Sequence, residues 1–227
     1  MHATKNQEKT ISKITTVLFD LDGTLLDTAP DLAAAINKTL IHYNYAPVDF
    51  EKFRNTIYAG SHSMLCDSFN MDDTHEHYEE RKDFFLQRYR EDLASQTQLF
   101  SGMQDVLDHI KNQNMQWGII TNKPAWLTEP LIAQMHFKDD IKCLLSGDSL
   151  KQRKPHPAPL LYACEQLNIS PQQAIYVGDT ETDIIAAREA NMRSIAVHYG
   201  YHEKQSNPDE WGATYTVKNP LEIKQFL

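Results

Sequence analysis

Asp20-Leu21-Asp22-Gly23-Thr24-Leu25 is the stretch on which the reading of this 227-residue chain turns. The apolar run from Ile14 reads as a buried strand, and it ends in two carboxylates one residue apart at a glycine turn. A carboxylate at the carboxyl end of such a strand can attack an electrophile and form a covalent intermediate. A second carboxylate two residues on can protonate the oxygen that departs. On its own, Asp22-Gly23 is also an ordinary turn signal. Three later segments, in order, favour chemistry.

Trp117-Gly118-Ile119-Ile120-Thr121-Asn122-Lys123-Pro124 is a second apolar strand, ending in a hydroxyl and an amide just before a proline able to open a helix. Thr121 is a candidate donor to a phosphate oxygen, and Asn122 a candidate for orienting substrate. In Arg153-Lys154-Pro155-His156-Pro157-Ala158-Pro159 the prolines prevent a strand and fix a loop that presents Lys154, a cation for a nucleophile and a phosphoryl group. Ala174-Ile175-Tyr176-Val177-Gly178-Asp179-Thr180-Glu181-Thr182-Asp183 is a strand followed by two carboxylates four residues apart, hard oxygen ligands that suit magnesium.

Together these segments resemble the haloacid dehalogenase-like (HAD) phosphohydrolase superfamily, whose pattern is DxDGT, a strand ending in Thr or Ser, a Lys, and GDxxxD. The match fills every catalytic position and covers the chain from Ile14 onward. The resemblance implies that Asp20 attacks phosphorus to give an aspartyl-phosphate, while Asp22 protonates the leaving alkoxide and later activates water. It implies Mg2+ held by the Asp20 carboxylate, the Asp22 backbone carbonyl and Asp179, with Asp183 as a ligand or a partner of one. Thr121 and Lys154 complete the catalytic set. Backbone N–H groups of Leu21 to Gly23 are candidates for a small anion nest. Transport ATPases of this pattern carry Thr in place of Asp22, and dehalogenases lack it, so the carboxylate favours phosphoester hydrolysis or phosphomutase chemistry.

Composition agrees. Hydrophobic content of 41% and charged content of 23% are those of an ordinary globular protein. No apolar run approaches the roughly 18 residues of a membrane span. The first thirteen residues carry Lys5, Lys9 and Lys13 without an apolar core, unlike a signal peptide, so a frayed N-terminus and a cytoplasmic protein are expected. Cys66, Cys143 and Cys164 are odd in number and never form CxxC, which argues for buried thiols rather than disulfides or zinc. A net charge of −9 disfavours nucleic acid and anionic membranes as partners. The expected partner is a small phosphorylated metabolite, and the protein a monomer or homodimer.

Strand-like runs at 14–20, 116–121, 142–146, 174–178, 194–199 and 213–217 alternate with helical patterns, which predicts an α/β protein with a Rossmann-like parallel sheet. Ligands of such sheets bind at the carboxyl ends of the strands, where all four motifs fall. Between the first two motifs the pattern is helix after helix, with no convincing strand. Leu32, Ile36 and Leu40 share one face, Phe50, Phe53 and Ile57 a second, and Phe85, Tyr89 and Leu93 a third. This predicts an inserted helical cap domain over residues 28–100, with residues 1–27 and 101–227 forming the core. Hinges are expected at Asp27 to Pro30 and Phe100 to Gly102. A lid of this kind encloses small substrates.

Arg54 to Leu65, containing Ala59-Gly60-Ser61-His62-Ser63, is the candidate specificity loop, with Gly60, Ser61 and His62 as candidate substrate contacts; a plain interhelical turn is the alternative. His75-Glu76-His77 reads as a solvated stretch, and Trp117 and Trp211 as packing residues. Finer likeness lies with the phosphoglycolate phosphatase group, through Thr121-Asn122-Lys123-Pro124, Lys154-Pro155-His156-Pro157-Ala158-Pro159 and Tyr199-Gly200-Tyr201. It is closer still with relatives that dephosphorylate N-acetylmuramic acid 6-phosphate in cell-wall recycling, through the short cap, Met115-Gln116-Trp117-Gly118 and Asn207-Pro208-Asp209-Glu210-Trp211-Gly212-Ala213. Substrate stays open between 2-phosphoglycolate and the amino-sugar phosphate. The alternatives are a β-phosphoglucomutase-like sugar phosphomutase and a non-catalytic phosphometabolite-binding protein.

Overall fold

The computed structural model describes residues 12–203 and 205–227; the expectation of a frayed N-terminus over residues 1–11 lies outside them. Strand β1 (Thr16–Phe19) leads to a two-residue strand β2 (Leu26–Asp27). Four helices follow, α1 (Ala29–His42), α2 (Phe50–Arg54), α3 (Gly60–Phe69) and α4 (Tyr78–Glu91), before β3 (Gln98–Leu99). Strands and helices then alternate: α5 (Met103–Asn112), β4 (Gln116–Ile120), α6 (Ala125–Ile132), β5 (Cys143–Leu145), α7 (Ala158–Gln166) and β6 (Ala174–Gly178). The chain closes with α8 (Glu181–Glu189), β7 (Arg193–Val197) and β8 (Tyr215–Val217).

Six strands form one sheet in the order β5-β4-β1-β6-β7-β8, and every pairing in it is parallel. Parallel strands covered on both faces read as unbroken apolar runs, which is why Thr16-Val17-Leu18-Phe19 and Ala174-Ile175-Tyr176-Val177-Gly178 are buried throughout. Alternate side chains feed two layers. Val17, Phe19, Ile175 and Val177 pack with α5 and α6, whereas Leu18 and Tyr176 pack with α7 and α8. The chain leaves β1 for β4 and β5 on one side, then crosses to β6 on the other. The carboxyl end of β1 is therefore the topological switch point, where such sheets bind ligands.

Helix α1 buries Leu32, Ile36 and Leu40 at a spacing of four, packed with Phe85 and Tyr89 of α4. Each such aliphatic or aromatic side chain withdrawn from water contributes about 2 kcal/mol. Arg81 is buried with them, and its charge faces the rings of Phe69, Tyr45 and Tyr43 at 4.6, 5.2 and 5.4 Å. Asp31, also buried, accepts hydrogen bonds from the Gln96 and Thr97 N–H groups and the Thr97 hydroxyl, tying α1 to the chain that follows α4.

Three expectations change. The segment between the first two motifs is not free of strands, because β2 and β3 pair antiparallel, Leu26 with Leu99 and Asp27 with Gln98, at the hinge. Phe50 does not share a buried face with Phe53 and Ile57: α2 ends at Arg54, and Phe50 is exposed. The Gly60-Ser61-His62-Ser63 stretch is the first turn of α3 rather than a loop. Cys66 is half-buried, while Cys143 and Cys164 are buried free thiols, and Trp117 and Trp211 are buried as expected. No described helix is long and apolar enough to cross a membrane.

Candidate active site

Asp20 is the first residue beyond β1, and its backbone N–H donates to Val177 of β6, holding it in the plane of the sheet. Its carboxylate Oδ1 lies 2.6 Å from the Lys154 Nζ. That ammonium also donates to Asp183 Oδ1 at 2.7 Å and to the Tyr176 hydroxyl at 2.7 Å, and the Tyr176 hydroxyl donates on to the Ile120 carbonyl. Burial by itself would pull the Lys154 ammonium down, but the neighbouring Asp183 and Asp20 carboxylates outweigh it and raise it above the usual lysine range. Asn122 grips the Lys154 backbone at two points, donating to its carbonyl at 2.9 Å and accepting from its N–H at 3.1 Å. Asn122 therefore positions the lysine through its main chain.

Asp183 serves two structures at once. Its Oδ2 accepts from the Thr180 N–H and hydroxyl, closing the capping box that starts α8, which leaves Oδ1 for Lys154. Asp179 accepts from the Thr24 hydroxyl at 3.0 Å and the Tyr201 N–H at 2.7 Å. Oxygens of Asp20, Asp179 and Asp183 lie within 4.8 Å of one another, and all three residues are buried. Desolvation by burial pushes the Asp20 carboxyl up to about 6, against the pull of Lys154, and raises Asp179 well above the carboxylate range. The cluster holds three buried carboxylates and one ammonium, which pairs with Asp20 and Asp183 and not with Asp179, a formal excess of two negative charges. The oxygen-only donor set and that excess fit a hard divalent cation.

Gly23 shapes the same wall. Its φ is +87°, and a Cβ there would sit 2.1 Å from Asp179 Oδ2. Gly23→Ala is expected to destabilise the protein by about 2 kcal/mol or more through left-handed strain and displacement of the carboxylate, measured as a lowered urea midpoint. The Gly23 N–H donates to Leu26, so it is spent within the turn and does not join the anion nest. Among the described residues the Leu21 and Asp22 N–H groups have no protein acceptor.

Asp22 points away from the acidic cluster. Its Oδ1 accepts from the Thr28 hydroxyl at 2.7 Å, and both of its oxygens face the Lys123 Nζ, at 3.0 and 3.2 Å. Lys123 donates in addition to the hydroxyl of Tyr89, a residue of α4, at 3.0 Å. Burial and nearby charges, Lys123 acting in opposition, push the Tyr89 hydroxyl up to about 12. A second contact from α4 forms at α6, where Pro130 lacks the N–H that would bond the Trp126 carbonyl. Arg90 of α4 donates to that freed carbonyl at 2.7 Å. Thr121 is buried beside Lys123, whose N–H its hydroxyl oxygen accepts at 3.2 Å.

The structure thus brings Asp20, Asp22, Thr121, Asn122, Lys154, Asp179 and Asp183 to one edge of the sheet. Gly60, Ser61 and His62 form the first turn of α3. Gly60 has φ +75° with open space around it, and the exposed His62 meets Tyr78 at 3.0 Å. Sequence reasoning missed Lys123, Tyr89, Tyr176 and Tyr201. Lys123 and Tyr201 lie within stretches that carry the family resemblance, but their sequence context gives neither a role.

The acidic cluster sits at the β1 switch point, where such a sheet binds its ligand, and the chain belongs to the haloacid dehalogenase-like hydrolase family, whose family model matches residues 17–197. Among its relatives is the N-acetylmuramic acid 6-phosphate phosphatase of Pseudomonas putida, 39% identical, with 95% of this chain and 96% of that one covered. A phosphoglycolate phosphatase of Xanthomonas campestris pv. campestris is also 39% identical, over 91% of this chain and 93% of its own. The crystal structure of a predicted phosphoglycolate phosphatase from Haemophilus somnus superposes with a TM-score of 0.84 at 27% identity, covering 95% of this chain and 99% of that one.

Proposed function

We propose that the protein is a magnesium-dependent phosphomonoester hydrolase of a small metabolite, either 2-phosphoglycolate or N-acetylmuramic acid 6-phosphate. The observation that carries this reading is the division of labour between two aspartates one residue apart. Asp20 is paired with Lys154 inside the acidic cluster, and Asp22 is paired separately with Lys123 and Thr28. Family membership and the names of the relatives support the same reading.

In this mechanism the Asp20 carboxylate attacks phosphorus in line. The P–O bond to the leaving alkoxide breaks as the aspartyl-phosphate forms, and the alkoxide takes a proton from the Asp22 carboxyl. Asp22 then accepts a proton from the water that attacks the acyl phosphate, releasing inorganic phosphate and restoring Asp20. Lys154 offsets charge beside the nucleophile, Thr121 donates to a phosphoryl oxygen, and the Leu21 and Asp22 N–H groups cradle another. Mg2+ would be held by Asp20, Asp179 and Asp183 with the Asp22 carbonyl, and when bound it supplies the positive charge that lets a carboxylate approach a phosphate dianion. Residues 28–100 serve as the lid.

The test is phosphate release with Mg2+ from both substrates in one assay, with β-glucose 1-phosphate as a third arm. One of the first two is expected to lead by about a hundredfold in kcat/KM, about 2.7 kcal/mol of transition-state binding. Isomerisation of the sugar phosphate without phosphate release would make the protein a mutase instead. Binding without turnover would make it a non-catalytic binder.

A further inference from the structure

The two candidate substrates share a second anionic group. Each is a phosphomonoester that also carries a carboxylate, the glycolate carboxyl in one and a lactyl ether carboxyl in the other. Binding either one calls for a cation beyond the phosphoryl site. The site lysines are committed, Lys154 to Asp20 and Asp183 and Lys123 to Asp22.

Arg54 is not committed in the same way. It closes α2 in the cap, and its Nη1 donates to Asp27 Oδ1 of the hinge strand at 3.1 Å. Its guanidinium lies 4.8 Å from the centroid of the Tyr201 ring, and the Tyr201 backbone N–H is one of the two donors that hold Asp179. Arg54 therefore stands on the cap side of the loop that bounds the acidic cluster. Among the described residues its Nε and Nη2 donate to no protein acceptor, and its side chain is 25% exposed, open to a ligand. A guanidinium presents paired N–H groups that match a carboxylate in geometry and charge. The carboxylate it now meets is not left stranded by its departure, because the Tyr201 hydroxyl also donates to Asp27 Oδ1.

Resting on the phosphatase reading above, we infer that Arg54 is the residue that selects substrate by its carboxylate, exchanging Asp27 for the carboxylate of a bound phosphomonoester. Asp27 holds the guanidinium in place between turnovers. This assigns selectivity to the end of α2, ahead of the Gly60-Ser61-His62 turn.

Two matched pairs test it in the magnesium-loaded enzyme: 2-phosphoglycolate against 2-hydroxyethyl phosphate, and N-acetylmuramic acid 6-phosphate against N-acetylglucosamine 6-phosphate, which lacks the lactyl group. The readout is the ratio of kcat/KM within each pair for the wild type, Arg54→Gln and Arg54→Lys. In Arg54→Gln the ratio is expected to fall at least about tenfold in one pair, with Arg54→Lys between, because lysine keeps the charge without the fork. The pair that responds identifies which carboxylate is read. Equal losses for both members of each pair would reduce Arg54 to a cap latch and overturn the inference. So would a wild type that turns over all four esters without preferring a carboxylate, which leaves the phosphatase reading standing. Phosphate release from none of the four would sink both.

Discussion

Asp20→Asn is expected to lower kcat by about 10,000-fold or more while leaving the protein folded. An amide cannot form the acyl phosphate, so the covalent route closes, and no other carboxylate of the cluster stands at the same strand end. Loss of activity through misfolding is separable from this effect. Asparagine is nearly isosteric, and it removes one of three clustered buried carboxylates, leaving Lys154 paired with Asp183. Without magnesium at pH 7.5, the variant is therefore expected to melt at or above the wild-type temperature. Calorimetry beside single-turnover kinetics checks both halves. Turnover within tenfold of wild type would remove Asp20 as the nucleophile, and a melting temperature many degrees lower would give it a structural role instead.

The second large effect is the response of stability to magnesium and pH. In the metal-free protein, burial lifts the Asp20 carboxyl to about 6, from an ordinary value of 3.8, and lifts Asp179 in the same direction. A carboxyl raised in the folded state binds its proton more tightly there than in the unfolded chain. The stability it contributes is full below about pH 4 and is lost as pH rises through about 6. Relative to Asp20→Asn, metal-free wild type should thus lose ground between pH 4 and 7. Mg2+ reverses the loss, because it binds the ionised cluster and has no such site in the unfolded chain. At a hundred times its dissociation constant it adds about 2.7 kcal/mol, roughly 5–10 °C in a chain of this size. At pH 5, where protons compete for the same oxygens, the gain should shrink. A melting temperature indifferent to Mg2+ at pH 7.5 would argue that the three carboxylates hold no cation.

What was legible in the sequence follows from the range of the interactions involved. Strand β6 is read from its residues to its bounds, Ala174 to Gly178, because a parallel strand buried on both faces is apolar throughout. The 14–20 and 194–199 runs each overreach the observed strands, Thr16–Phe19 and Arg193–Val197, although the Asp20 and His198 N–H groups just past their ends still donate to Val177 and Val217 of the neighbouring strands. Asp20, Lys154, Asp179 and Asp183 announce themselves by local pattern. Lys123 and Tyr89 do not: 34 residues separate them, and their contact exists only once α4 has docked over the sheet. Tyr176 reads as one more apolar position in β6, although its hydroxyl turns out to brace Lys154. Strands of two residues, as at Leu26–Asp27, carry no periodicity to detect. Gly60 reads as a loop because glycine breaks helices, whereas here it uses a positive φ to enter one.

The pairing of Leu26 with Leu99 and of Asp27 with Gln98 bears on how such proteins diversify. The excursion between them departs and returns through neighbouring backbone positions, so its length and content can change without altering the register of any strand in the six-stranded sheet. The acidic cluster lies outside this excursion, at the ends of β1 and β6 and on α8, so a change within the excursion leaves those three carboxylates in place. A graft cut at these two pairs, carrying Asp31 with its Gln96 and Thr97 partners, would preserve the ties that hold the donor segment's two ends together.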